Sequence, residues 1–268
     1  MAARLIHVSD LHFGRHESPE AQRGLAELVA KLEPELVIAS GDLTHRGRRD
    51  QHERAAAFLR SLGAPLLAVP GNHDVPYTFP ARFTRPWAEF ERRWETAEPV
   101  FRSEQLHVVG VNSVRPWRHQ SGGLAGGRLE RAAARLREAA PGTLRVAVLH
   151  HHLLGAPWRA ARKRPVAGRG LILAELAAAG AELVVGGHIH QATAAERREF
   201  LVVEDGAGAV VVTTAPGFGR PRPGRSGEAQ GAQVYEATAD LLRVVTYVWR
   251  GSSFAPVAAR EFPRGAAR

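Results

Sequence analysis

The sequence predicts an α/β fold with a mainly parallel sheet in its first half and an antiparallel region after residue 190. Three observations carry this. Up to that point short aliphatic or β-branched runs alternate with amphipathic helical patterns, the signature of βαβ units. Beyond it, apolar runs follow one another with no helical pattern between them, as in antiparallel sheets. Finally, each of five short polar motifs stands just after an apolar run, where α/β sheets carry their ligands.

Residues 4–8 form the first strand, and Leu25, Leu28, Val29 and Leu32 recur at helical spacing to give the next helix its buried face. A strand at 36–39, a helix at 51–62 with Phe58, Leu59 and Leu62 inward, and a strand at 65–69 continue the alternation. A Trp- and Arg-containing helix is expected around 87–94 and a strand at 105–111. The stripe Leu129, Ala133 and Leu136 marks a helix over 129–140, followed by a strand at 144–149 and a basic loop at 157–169. A helix at 171–179 and a strand at 182–185 come next. The later strands are expected at 199–203, 210–214, 232–237 and 241–249, with a hairpin turn at 206–208 and a mobile Gly-, Pro- and Arg-rich loop at 216–231.

A chain of 268 residues, 44% of them hydrophobic, can bury one substantial core. One domain is expected over residues 1–262, with 263–268 a frayed tail. No apolar stretch approaches the roughly 20 residues that cross a bilayer, and nothing at the N-terminus reads as a signal peptide. The expected compartment is the cytoplasm, with no membrane partner. Without cysteine there are no disulfides or thiolate ligands, so any metal is held through nitrogen and oxygen. The net charge is +9, but of the 36 Lys and Arg residues only Lys31 and Lys163 are lysines. Such Arg-heavy usage reads as compositional bias more than as a patch for a polyanion.

The five motifs are Asp10-Leu11-His12, Gly41-Asp42, Gly71-Asn72-His73-Asp74, His150-His151-His152 and Gly187-His188-Ile189-His190. Glycine before Asp42, Asn72 and His188 permits sharp turns and close approach of the backbone to an ion or phosphate. On extended backbone Asp10 and His12 face the same way, as do His188 and His190, so each pair is expected to grip one ion. Carboxylates and imidazoles without sulfur suit Mn, Fe, Zn, Co or Ni, and the Asn72 amide oxygen adds a neutral ligand. Singly, these motifs are ordinary turn chemistry. Together they read as a metal site, because seven polar groups collected at strand ends are costly without an ion to pair them.

In order, spacing and flanking strands the motifs resemble the calcineurin-like metallophosphoesterase superfamily over residues 4–215, and within it the small bacterial enzymes grouped with cyclic-nucleotide phosphodiesterases. The resemblance implies an α/β (α+β) four-layer α/β/β/α sandwich, two facing mixed sheets flanked by helices, with two divalent metal ions where the sheets meet at one end. It implies that one ion takes Asp10, His12, Asp42 and His190 and the other Asp42, Asn72, His150 and His188, with Asp42 as bridge. It gives His73 the contact with a phosphoryl or leaving oxygen, and Asp74 the task of orienting His73. The implied reaction is hydrolysis of a small phosphate ester, first a phosphodiester, by a hydroxide held between ions ~3.5–4 Å apart.

Other readings compete. A DNA nuclease of the recombination type shares the motifs and suits a basic chain, but it carries a capping region and a partner-binding segment that this chain is expected to lack, so nucleic acid is the less favoured partner. Phosphomonoesters and nucleotide pyrophosphates are alternative substrates, since variable loops set specificity. A scaffold that has lost catalysis is disfavoured because all seven ligand positions and His73 are present. His16, His45, His107 and His119 are read as surface or turn residues, although cyclic-nucleotide relatives often carry Asp in place of His45. His151 and His152 are left outside the ligand set. The basic loop, with Trp158, Arg159, Arg162, Lys163 and Arg164, is read as solvated, with a substrate-gripping lid as the functional alternative.

Overall fold

The computed structural model describes residues 2–15, 17–118, 120–154, 164–202, 209–221 and 228–264. In chain order the elements are β1 (Ala3–Val8), α1 (Pro19–Leu32), β2 (Leu36–Ala39), α2 (Arg49–Ser61), β3 (Leu66–Ala68), α3 (Ala81–Thr84), α4 (Ala88–Trp94), β4 (Val100–Arg102), β5 (Leu106–Gly110), α5 (Arg128–Arg137), β6 (Leu144–Val148), α6 (Arg169–Ala178), β7 (Leu183–Gly186), β8 (Thr193–Glu196), β9 (Val211–Thr214), β10 (Gly231–Ala237), β11 (Leu241–Trp249) and β12 (Phe254–Pro263). They build two six-stranded sheets, ordered β12-β11-β10-β1-β2-β3 and β4-β5-β6-β7-β9-β8. Both are mixed: β1, β2 and β3 are parallel while β10 to β12 are antiparallel. In the second sheet β5, β6, β7 and β9 are parallel, with antiparallel strands at both edges.

Side-chain alternation explains the layering. In β1, Leu5 joins a core between the sheets with Ile38, Val108, Val146, Val185 and Val244, while Ile6 and Val8 face outward to Leu25, Leu28 and Leu59 of α1 and α2. Leu129, Leu136, Leu173 and Leu176 of α5 and α6 cover the outer face of the second sheet. The result is helices, sheet, sheet, helices. Helix α1 begins where Ser18 accepts the Ala21 N–H and Pro19 presets the first turn, and it ends at Glu33 in a left-handed conformation.

Several expectations are corrected. No strand starts at residue 199: Arg197–Glu199 is a 3-10 turn, and the strand here is β8. Its sequence Thr-Ala-Ala-Glu has no large apolar residue because it is an edge strand. Edge position also hid β12, whose Pro256, Arg260 and Glu261 dilute its alternation. The region after residue 190 is not wholly antiparallel, since β9 runs parallel to β7. Of the expected frayed tail, Pro263 completes β12 and Arg264 grips Glu182 at 2.8 Å and Asp240 O through its N–H; residues 265–268 lie outside the described residues. The loop at 216–231 is fastened at its described ends, with Phe218 N–H donating to Ser9 O and Gln230 Nε2 to Phe218 O. The turn at 206–208 and basic-loop residues 157–163 also lie outside the described residues. No helix among the described residues is long and apolar enough to cross a membrane.

Candidate metal centre

The loops after β1, β2, β3, β6 and β7 meet at one end of the sandwich and bring the motif side chains into one buried cluster. His190 Nε2 lies 3.0 Å from Asp10 Oδ1 and 3.3 Å from His12 Nε2, and His12 Nε2 lies 3.8 Å from the same Asp10 oxygen. His150 Nε2 lies 3.4 Å from Asp42 Oδ2 and 3.2 Å from His188 Nδ1. Because Asp42 Oδ2 is also 4.0 Å from His12 Nε2, Asp42 stands between two donor groups, one of Asp10, His12 and His190 and one of itself, His150 and His188. His188 and His190 therefore serve different groups. The expectation that each such pair grips one ion is corrected.

The backbone departs from the extended form that this expectation assumes. Asp10, His12, Asp42, His188 and His190 all have φ between 50° and 73°, in the left-handed region and not in extended strand. A non-glycine residue there costs on the order of 1–3 kcal/mol, and such residues gather at functional sites where the surroundings hold them. The three motif glycines are required by closeness: a Cβ on Gly41 would lie 2.6 Å from Gly71 N, one on Gly71 2.1 Å from Asp42 N, and one on Gly187 1.8 Å from Ser9 Oγ.

Burial pushes the Asp10 and Asp42 carboxyls up, but the His190 ring beside Asp10 and the His150 ring beside Asp42 outweigh it and hold both well below the usual carboxylate range. Burial pushes His12 down to about 3. His150 goes the other way, to about 9, because Asp42 outweighs its desolvation. Its Nδ1–H donates to Ser40 O at 2.8 Å, which turns Nε2 toward Asp42. Two pairs of imidazole nitrogens at 3.2–3.3 Å are compatible only with a shared proton or a shared cation. The Asn72 side chain is fully buried, and neither its oxygen nor its nitrogen has a hydrogen-bond partner among the described residues. An amide oxygen left this way fits a cation ligand. All donors are nitrogen and oxygen, as first-row divalent ions accept.

His73 packs edge-on to His12 with ring centroids 5.0 Å apart, and its backbone N–H donates to Asp42 Oδ1 at 2.7 Å. The role read for Asp74 is corrected. Its carboxylate accepts the N–H groups of Leu43, Thr44 and Gly71 and the Thr44 hydroxyl, clamping the Asp42 loop to the Asn72 loop. The His73 ring is held instead through Nδ1, 2.7 Å from His45 O and 2.8 Å from the Tyr77 hydroxyl. Burial raises the Asp74 carboxyl above its ordinary range.

Sequence reasoning misplaced two histidines. His45 stacks on His73 at 5.7 Å and meets His12 edge-on, so it belongs to the site; its distance of three residues from Asp42 was the available signal. His107 is buried in β5 with Nε2 2.8 Å from Arg135 O. His151 packs against His150 and His188 while its Nδ1 meets Ser113 Oγ at 2.9 Å, and His152 stacks on His188. His16 and His119 lie outside the described residues.

Two facing mixed sheets flanked by helices, with a nitrogen- and oxygen-only donor cluster at the strand ends, define a sandwich protein built around a candidate metal centre. The chain belongs to the calcineurin-like phosphoesterase family, whose model matches residues 3–192. It is similar to a probable cyclic nucleotide phosphodiesterase of Synechococcus sp., 30% identical over 160 residues, covering 56% of this chain and 58% of that protein. It is also similar to a glycerophosphodiester phosphodiesterase of Enterobacter lignolyticus, 35% identical over 92 residues, 31% of this chain and 33% of that one. The match thus spans less than two thirds of either relative. Among solved structures, a purple acid phosphatase from yellow lupin seeds shares the fold with a TM-score of 0.74 at 10% identity, covering 99% of this chain and 54% of that one. A dimetal phosphatase from Danio rerio shares it at 0.65 and 12%, covering 98% and 99%.

Proposed function

We propose that this protein is a metal-dependent phosphodiesterase acting on a small phosphate ester, with Asp10, His12, Asp42 and His190 holding one divalent cation and Asp42, Asn72, His150 and His188 a second. The observation that carries the reading is the position of Asp42, one carboxylate between two donor groups. Similarity to proteins named as phosphodiesterases supports the choice of a diester. Two cations held by these residues would supply activation of a water and stabilisation of negative charge on phosphate oxygens. The chain's own part is preorganisation. Asp42 reduces repulsion between positive charges, Asn72 adds a ligand without adding negative charge, and His73 stands beside the cluster to meet a phosphoryl or leaving oxygen.

The test is hydrolysis of bis(p-nitrophenyl) phosphate by protein stripped with a chelator and reloaded with Mn, Fe, Zn, Co or Ni. Stripping is expected to abolish turnover and Mn to restore it, with the monoester p-nitrophenyl phosphate cleaved more slowly. No turnover with any divalent ion would sink the proposal. His73→Ala is expected to keep its metal content and lose about 10²–10³-fold in rate, the usual effect of removing one donor to a developing charge. A wild-type rate in that variant would mean that His73 has no part in the reaction.

A further inference from the structure

Between the sheets, in a core otherwise lined by apolar side chains, runs a chain of buried polar groups that this hydrolytic reading does not use. His7, on the inward face of β1, meets Ser40 Oγ through Nε2 at 2.7 Å and the Tyr235 hydroxyl through Nδ1 at 3.0 Å. That hydroxyl meets Thr213 Oγ1 at 2.7 Å and Gln233 Oε1 at 2.8 Å, and Gln233 Nε2 donates to Thr193 O at 3.1 Å. His7, Ser40, Gln233 and Tyr235 belong to the first sheet and its loops, and Thr193 and Thr213 to the second.

The protons in this chain have one consistent order. Gln233 Oε1 can only accept, so Tyr235 gives its single proton there. The Tyr235 oxygen then accepts from Thr213 O–H and from His7 Nδ1–H, which leaves His7 Nε2 to accept from Ser40 O–H. This requires a neutral imidazole, and burial lowers His7 to about 3. Both ends of the chain lead to the site. The Ser40 carbonyl accepts His150 Nδ1–H, and Thr193 stands three residues after His190.

Apolar side chains would fill this space without any need for partners. The polar chain is explained by what the site demands. Asp10, His12, Asp42 and Asn72 come from the first sheet, and His150, His188 and His190 from the second. Their mutual distances therefore depend on how one sheet sits over the other. Hydrophobic contact is non-directional and tolerates sliding, whereas hydrogen bonds fix distance and angle.

We propose that Tyr235, its hydroxyl oriented by His7, is a positioning residue of the metal centre, holding the two sheets in the one register that brings their ligands together. The inference rests on the metal-dependent reading above. Tyr235→Phe keeps the ring and removes the hydroxyl at the hub. Leu136→Ala, under the outer face of the second sheet, is a control for general loss of stability. Mn binding to the full chain is followed by electron paramagnetic resonance, beside ¹⁵N–¹H spectra of the imidazoles in metal-free protein. Tyr235→Phe is expected to weaken Mn binding about 10–100-fold, the usual effect of removing support behind metal ligands, while Leu136→Ala does not. Wild-type affinity in Tyr235→Phe, or the same loss in both variants, overturns the inference and leaves the hydrolase reading standing. Should wild-type protein bind none of Mn, Fe, Zn, Co or Ni, that reading falls, and the His150 Nδ1–H signal decides whether the polar chain sets the register: its loss in Tyr235→Phe supports the inference and an unchanged signal refutes it. If Tyr235→Phe does not fold, Thr213→Val, which removes one donor to the same hydroxyl, is judged by the same measurements.

Discussion

Asp42→Asn is expected to abolish phosphodiester hydrolysis, by at least about 10³-fold or roughly 4 kcal/mol of transition-state stabilisation, while leaving the fold intact. The amide keeps an oxygen for the His73 N–H that Asp42 Oδ1 now accepts at 2.7 Å, so the loop has no reason to open. What disappears is the negative charge facing His150 at 3.4 Å and His12 at 4.0 Å. Without it two cations would repel one another across a low-dielectric gap, where unit charges interact far more strongly than in water. Metal content by elemental analysis is expected to fall together with the rate, at an unchanged circular dichroism spectrum. Activity within tenfold of wild type would mean that the carboxylate is not shared between the donor groups.

Gly71→Ala is expected to damage both stability and activity. Its Cβ would be placed 2.1 Å from Asp42 N and 2.3 Å from Asp42 Oδ1, and a backbone nitrogen cannot swing aside as the end of a long side chain can. Overpacking of this kind costs about 3 kcal/mol, which lowers the melting temperature of a chain this long by roughly 6–10 °C. The two loops that Asp74 clamps would part at the point where Asp42 and Asn72 meet. Thermal unfolding and Mn titration of the same preparation test this. An unchanged melting temperature with normal Mn affinity would show that the loops can separate without loss.

Much of the fold was legible because each helix and central strand buries a face of its own. The apolar run of β1 and the helical period of α1, both set by side chains that now lie in the core, needed no knowledge of partners. Strands β8 and β12 were not legible because edge strands bury too little to impose a pattern. The same division runs through the site. Asp10, His12, Asp42, Asn72, His150, His188 and His190 could be named because chemistry at strand ends restricts residue type. The placement of His45 and the true partners of Asp74 could not, since they depend on which loops stand opposite one another.

By itself the sequence picked out the candidate donors, their attachment to strand ends and the family they mark. Only the tertiary structure decided which donor meets which. His12 and His190, 178 residues apart, lie 3.3 Å from one another because two sheets close over a shared core, and His188 and His190 part company, each joining the donors that stand opposite it. Local periodicity records how deeply a residue is buried. The neighbour it finds there is set by packing between segments far apart in the chain, and that exists only once the sheets have met.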